Sequence, residues 1–264
     1  MNYKCIQQNS LIKTITRDDT LFHGDYTIDP YQHCEFGCSY CDSTFDHTIY
    51  ITKNASELLK KELPHHKKGR IIIGSVHDPY QTIEKKYEIT RSLLQILQKK
   101  QIPIHILTKS TLILRDLDIF KKMNNLLITF SILSNDEHIW HLFEGKTPSP
   151  LSRLETMRQL TSHAKTGVAM IPIIPGITDT KNHIETLIKK AKKHRAKYFI
   201  HTYLELKGYQ KTAFFNLIQQ YYPHLQTTYN SLYTNAIRPS EQYTKSVNEL
   251  IKKLCLQYQL PNKI

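Results

Sequence analysis

From residue 70 onward the chain alternates short, dense apolar runs with longer stretches in which apolar residues recur every three or four positions. The run "RIIIGS" (70–75) is short, β-branched and continuously apolar, the profile of a strand buried on both faces. Over residues 83–100, Ile83, Tyr87, Thr90, Leu94 and Leu97 recur at helical steps with charges between them, which predicts a helix. The beat then repeats, with strands predicted at 102–108, 125–132, 167–174 and 197–204, and helices at 114–123, 149–164 and 183–194. Ser149 stands where an N-cap belongs, followed by Pro150 at the first helical position, where a missing N–H costs nothing. A strand near 25–31 and a helix near 54–63 complete six β-then-α units.

Strict alternation of this kind favours an α/β fold with a parallel sheet and right-handed crossovers. Six units can close partly into a barrel or form an open doubly wound sheet. In either architecture, sites belong at the carboxyl ends of the strands. Residues 210–222 and 240–258 read as further helices, expected to pack on the core rather than to form a second domain. The predicted organisation is an N-terminal extension (1–24), a (β/α)6 core (25–205) and a C-terminal helical extension (206–264). With only 8 glycines and no low-complexity tract, no long flexible linker is expected between them.

Composition adds two things. Formal charge is +13, from 36 Lys and Arg against 23 Asp and Glu. Part of the excess is clustered at Lys60, Lys61, Lys67, Lys68 and Arg70, and again at Lys189, Lys190, Lys192, Lys193, Arg195 and Lys197. Such clusters attract phosphate backbones, and they also arise as solvated faces of outer helices. Nucleic acid is therefore a candidate partner. The chain has no apolar run of 18 residues, and its first residues lack the apolar core of a signal peptide, so a cytoplasmic protein without a membrane span is expected.

The second addition is cysteine. There are 5, and three of them, Cys34, Cys38 and Cys41, fall within "DPYQHCEFGCSYC" just after the first predicted strand, spaced C-x3-C-x2-C. An odd count with three crowded together argues against a disulfide framework. Tetrahedral zinc needs four ligands, for which His33 and His47 are the nearest candidates to add. A [4Fe–4S] cube also takes one ligand per iron, and three cysteines leave one iron open. Plain buried thiols are the third reading. Gly37 fits the cluster, since it permits a positive φ or a close approach of backbone.

The spacing, with Tyr40 before the last cysteine, resembles the signature of the radical SAM enzymes. The segments "DPYQHCEFGCSYC", "GSVHDPYQTIE", "ILTKSTLILRD", "FEGKTPSPLSR" and "IPIIPGITD" together resemble the spore-photoproduct-lyase-like group, often labelled DNA repair photolyases, over residues 25–180. This resemblance implies a partial (β/α)6 TIM-like barrel with the C-terminal helices packed on it. It implies a [4Fe–4S] cluster on Cys34, Cys38 and Cys41, with S-adenosylmethionine on the fourth iron and an electron donor such as flavodoxin or ferredoxin. Reductive cleavage of the cofactor would then give a 5′-deoxyadenosyl radical that takes hydrogen from a substrate, for which nucleic acid is one candidate.

The resemblance also implies roles. Tyr40 would line the adenine side of the cofactor. Gly74, Ser75 and Asp78 in "GSVHDP" would grip its amino group, with His77 facing substrate. Lys109 would meet the carboxylate and Ser131 a ribose hydroxyl. Arg153 is a second candidate for the carboxylate, with Glu144 holding it in place. Residues 169–176 would supply the adenine pocket, with Pro175 and Gly176 as its turn. The sequence departs from the group in one respect. Spore photoproduct lyase carries a cysteine near the end of its second strand that returns hydrogen to the product radical, and no cysteine occurs between Ile71 and Tyr80. No second C-x-x-C pair suggests an auxiliary cluster. A reading of another class is a nucleic-acid-binding protein in which the thiolates hold a structural zinc or cluster without SAM chemistry.

Overall fold

The computed structural model describes residues 1–16, 19–42 and 47–264. Its strands are β1 (Asn2–Ile6), β2 (Lys13–Thr14), β3 (Tyr26–Ile28), β4 (Tyr31–Gln32), β5 (Thr48–Thr52), β6 (Ile71–Ile73), β7 (Ile104–Thr108), β8 (Leu126–Ser131), β9 (Lys165–Ile173) and β10 (Phe199–Tyr203). Its helices are α1 (Ala55–Glu62), α2 (Glu84–Tyr87), α3 (Ile89–Lys99), α4 (Leu117–Phe120), α5 (Glu137–Glu144), α6 (Pro150–Leu160), α7 (Lys181–Lys193), α8 (Gly208–Tyr221), α9 (Gln226–Tyr233) and α10 (Glu241–Gln257). Among the described residues no helix is long and apolar enough to cross a membrane.

In the larger sheet the neighbours follow chain order, β3, β6, β7, β8, β9, β10, all parallel, with β2 antiparallel on the β3 edge. A doubly wound sheet reverses its order in the middle; this one never does. The order is that of a TIM-like barrel left open between its first and last strands. Side-chain direction agrees. Ile71, Ile73, Ile104, Ile106, Leu126, Ile128, Phe130, Val168, Met170 and Phe199 point outward into the main core beneath the helices. The alternate positions form the inner face, where Ala169, Tyr198 and Ile200 pack against Leu21 and Phe22. Polar groups cross this inner face as a chain: His105 Nε2 lies 2.6 Å from Thr129 Oγ1, which lies 2.6 Å from the Tyr198 hydroxyl.

The six predicted strands are present. Ser149 caps α6 by accepting from the Ser152 N–H at 3.2 Å, with Pro150 first in the helix. The single helix predicted over 83–100 is instead two, because Glu88 takes a left-handed φ of 50° between α2 and α3. The reason is Glu84, fully buried, whose carboxylate accepts from the N–H groups of Thr90 (3.0 Å) and Arg91 (3.2 Å) and so caps the start of α3 from the preceding turn. A second sheet, in the order β1-β5-β4, lies beside the barrel. The N-terminal extension is thus stitched into both sheets, through β1 and β2. As expected, the C-terminal helices pack on the barrel: Val247, Ile251, Leu254 and Cys255 of α10 join the main core. Phe214, Ile218, Tyr229 and Tyr233 of α8 and α9 pack in one cluster with Phe36, Cys38 and Tyr40.

Candidate functional site

The loop from β4 to Asp42 carries the cysteines across the carboxyl ends of the barrel strands. It is held there by side chains from far along the chain. Gln81, fully buried, accepts from the Glu35 N–H at 2.9 Å and donates to the His33 carbonyl at 3.1 Å, while Glu35 accepts from the Ile83 N–H at 2.7 Å. The Ser39 N–H donates to the Phe143 carbonyl at 3.0 Å, and the Gln210 side chain donates to the Tyr40 carbonyl. A turn from Cys38 to Cys41 (N–H to carbonyl, 3.0 Å) and a φ of 59° at Gly37 curl the loop.

Cys34, Cys38 and Cys41 come together on one wall of a cavity of about 430 Å³. The other walls include Gly74, Ser75 and Asp78 after β6, Lys109 after β7, Ser131 at the end of β8, Ile171 and Pro172 in β9, and Tyr203 and Leu204 at the end of β10. Its size and mixed lining suit a ligand of cofactor dimensions. Burial pushes the Cys38 thiol up to about 12, against the pull of the nearby Lys109 ammonium, and burial likewise raises Cys34. Among the described residues no three His, Cys, Asp or Glu side chains are gathered as one metal ion would require. A four-iron cube asks for a wider spread, with one thiolate at each of three corners.

Gly74 sits at the hinge of the 74–78 turn with a φ of 86°. A Cβ there would lie 2.4 Å from Pro79 Cδ and 2.5 Å from the Leu107 carbonyl oxygen, so only glycine lets this turn close onto β7. Asp78 locks the same junction. Its Oδ2 accepts from the Lys109 N–H at 2.6 Å, and its Oδ1 from the Tyr80 N–H (2.9 Å) and the Thr108 hydroxyl (2.8 Å). Burial raises the Asp78 carboxyl, and these three donors act against the rise. The sequence reading gave Asp78 to a ligand ammonium; in the structure its oxygens serve first to position Lys109. Ser75 is exposed, with its hydroxyl 2.6 Å from that of Thr27.

Behind Lys109 lies a buried charged group that sequence reasoning only partly anticipated. Glu144, 1% exposed, meets Arg153, itself fully buried, at 2.7 Å. Its other oxygen accepts from the Tyr40 hydroxyl and lies 3.8 Å from Lys109 Nζ. Lys109 also stands over the Tyr40 ring, 5.8 Å from its centre. Burial alone would lower the Lys109 ammonium, but Cys38, in its thiolate form, and the Glu144 carboxylate act against it and hold the group above its ordinary value. The cation facing the cavity therefore stays charged.

Three predicted residues lie elsewhere. Arg153 does not line the cavity: it donates to the carbonyls of Ser131 and Pro148 at 2.8 Å each and to the Thr147 hydroxyl, besides pairing with Glu144. With its donors committed to protein, it positions Glu144. His77 is also outside the lining, with its ring 5.9 Å from that of His33, the residue before the first cysteine of the trio. Burial pushes its imidazole down to about 4. Pro175 lies under α9, where its carbonyl accepts from the Tyr229 hydroxyl at 2.9 Å; Ile171 and Pro172 supply the apolar wall instead. Cys5 is exposed beside Tyr87 and Cys255 is sealed in the main core, so neither reaches the cavity.

Comparison with known proteins agrees with this arrangement. The sequence profile of the Radical SAM superfamily matches residues 28–191. An uncharacterised protein of Methanocaldococcus jannaschii, MJ0683, is 30% identical over 209 residues, 75% of this chain and 76% of its own. An uncharacterised protein of Mycobacterium bovis is 24% identical over 254 residues, 89% of this chain and 75% of its own. Among solved structures, a cysteine-to-serine mutant of spore photoproduct lyase superposes with a TM-score of 0.71 at 16% identity, covering 97% of this chain and 79% of that one. Another spore photoproduct lyase mutant, with bound AdoMet and dinucleoside spore photoproduct, gives 0.69 at the same identity and coverage. Streptococcus suis SuiB bound to its precursor peptide SuiA gives 0.60 at 13% identity, over 90% of this chain and 47% of that one. A partial barrel with three cysteines at the carboxyl ends of its strands, within a matched profile spanning more than half the sequence, places this chain in the radical SAM superfamily.

Proposed function

We propose that the protein is a radical SAM enzyme in which Cys34, Cys38 and Cys41 hold a [4Fe–4S] cluster and the adjoining cavity takes S-adenosylmethionine. The observation that carries this reading is convergence: the three thiols, the Lys109 ammonium and the apolar Ile171–Pro172 wall line one cavity. When bound, the cluster and cofactor supply one-electron cleavage of the sulfonium and a carbon radical able to take hydrogen from a substrate.

The chain's own residues bind, orient and exclude water. Lys109, kept charged by Glu144, meets the cofactor's carboxylate, an anion that needs a cation in a site this enclosed. Gly74 and Ser75 offer backbone and hydroxyl groups to its amino end, and Ser131 to its ribose. Tyr40, fixed by Glu144 and Gln210, closes the wall beside the cysteines.

The test is release of 5′-deoxyadenosine, read by mass spectrometry, from anaerobically reconstituted protein given S-adenosylmethionine and dithionite, beside a Cys38→Ala control. Release from the wild type alone supports the reading. Protein that binds zinc and no iron would overturn it in favour of a structural metal site. The net charge makes nucleic acid the first substrate class to try. Binding of an oligonucleotide should then weaken steeply from low to moderate salt, and a flat response counts against it.

A further inference from the structure

We propose that the cavity at the amino ends of the barrel strands, opposite the cysteines, is a binding site for a phosphate group carried by a small molecule. The proposal is independent of the radical chemistry. The cavity measures about 650 Å³. It is framed by His23 before β3, Arg70 before β6, Asn124 and Asn125 before β8, and His163 and Lys165 at the start of β9. Cations, imidazoles, amides and hydroxyls line it beside Leu126, Leu127, Ala164 and Ile264, and among the described residues no Asp or Glu side chain does.

Arg70 is the telling group. Among the described residues, the other buried or half-buried arginines spend their guanidinium groups on carboxylates: Arg91 on Asp116 (2.6 Å) and Asp118 (2.8 Å), Arg115 on Glu84 (2.6 Å), and Arg153 on Glu144 (2.7 Å). Arg70 Nε is buried without a hydrogen-bond partner, and among the described residues Nη1 makes only a long 3.4 Å contact to the His23 carbonyl. Its neighbour Asp25 is engaged by the Arg70 backbone N–H at 2.7 Å. A buried N–H with no acceptor is costly to leave in that state. The remaining fork has the geometry of a tetrahedral oxyanion's edge. Arg70 stands just before β6, which places it at the amino ends of the barrel strands. Lys165 stands over the Tyr198 ring, 5.8 Å from its centre, and supplies the second charge. A dianion with oxygens on several sides matches this set better than a carboxylate or chloride does.

The experiment is isothermal titration calorimetry on the full chain at fixed ionic strength, with inorganic phosphate, glycerol 3-phosphate and, as the uncharged control, glycerol. Phosphate and glycerol 3-phosphate should bind and glycerol should not. The tighter of the two anions tells a free ion from a phosphoester. Arg70→Gln should weaken binding roughly 10- to 100-fold, the range for losing a hydrogen bond to a charged group. Lys165→Gln, at an exposed position, should weaken it in the same direction. Lys193→Gln, the same charge change on the outer face of α7, should leave it unaltered. Phosphate that binds no better than chloride overturns the proposal. So does wild-type affinity in both Arg70→Gln and Lys165→Gln, or an equal loss in Lys193→Gln, which would mean diffuse attraction to a basic surface.

Discussion

Replacing Glu144 by glutamine keeps its shape and removes its charge, and the structure says how much that should matter. Glu144 is 1% exposed and Arg153 fully buried, so solvent cannot take over the guanidinium's charge when its partner is neutralised. Breaking a buried pair from one side costs about 3–5 kcal/mol, because a charge is left uncompensated. The amide oxygen can still accept from Arg153 or Tyr40, which places the expected loss near the lower end, about 3 kcal/mol. For a chain of this size that is a fall in melting temperature of roughly 6–12 °C. The assay is calorimetric melting of iron-free protein, so that cluster content does not enter. Arg153→Met and the double variant complete a cycle. Arg153→Met also strands the Ser131 and Pro148 carbonyls, so it should be damaging alone. The double variant should be less damaging than the sum of the singles by roughly 2 kcal/mol, since it no longer buries a lone charge. A Glu144→Gln melt within about 2 °C of wild type, or strict additivity, would refute the claim that Glu144 and Arg153 act as one buried unit.

Three further outcomes are expected. Lys109→Met should weaken S-adenosylmethionine binding roughly 10- to 100-fold in equilibrium dialysis while leaving the cluster's visible spectrum intact; unchanged affinity would remove Lys109 from the carboxylate site. Gly74→Ala forces a Cβ to 2.4 Å from Pro79 Cδ at a φ of 86°, so urea unfolding should show a loss of roughly 2–4 kcal/mol. A loss under about 1 kcal/mol would mean that the turn relaxes. Burial pushes His105 down to about 4 from 6.5, so the unfolded chain takes up the proton before the folded one does. The stability tied to this group is intact above about pH 6.5 and is lost as pH falls toward 4, by roughly 3 kcal/mol in all. Urea unfolding at pH 7.5 and 5.0 should therefore show less acid loss in His105→Gln than in wild type, and equal loss would contradict the assignment.

What could be read from the sequence was what the sequence states locally. Ile71–Ile73 is apolar on both faces because the barrel's inner face and its helices cover both, and the run is visible without its partners. The cysteine spacing and the Ser149–Pro150 helix start are equally local. β1 was not legible: its residues are largely exposed, and its strand character comes from pairing with β5, more than forty positions away. The break at Glu88 follows from one buried carboxylate that no periodicity reveals. At the site, Glu144 meets Tyr40 across 104 positions and Gln210 meets it across 170. Glu144 lies in the "FEGKTPSPLSR" segment and was expected beside Arg153, but that it and Gln210 both meet Tyr40 is written in no local pattern. His77 and Pro175 were nominated by their neighbours in good motifs. Membership of a motif fixes position along a loop, whereas the direction of the side chain depends on the structure around it.

The separation of chemistry from charge along the barrel axis bears on what the enzyme acts upon. In a parallel barrel, residues just before a strand lie at one end and residues just after it at the other. Lys67, Lys68 and Arg70 precede β6, while Lys192, Lys193, Arg195 and Lys197 precede β10. Both basic clusters therefore share the end with the wide cavity of Arg70 and Lys165. At the cysteine end three cations are matched: Lys109 with Glu144, Lys207 with Asp42 at 3.0 Å, and Arg238 with Glu205 at 2.5 Å. Exposed pairs such as the last two contribute little to stability, but they cancel charge at the rim. At physiological salt, fields are screened within about 8 Å, far less than the length of a barrel, so the basic clusters cannot draw a polyanion into the cysteine cavity from the opposite end. These two clusters thus place part of the net charge of +13 at the far end of the molecule. A nucleic acid long enough to reach both ends would add charge contacts there to stacking and hydrogen bonds at the cysteine rim, and its binding would weaken with salt.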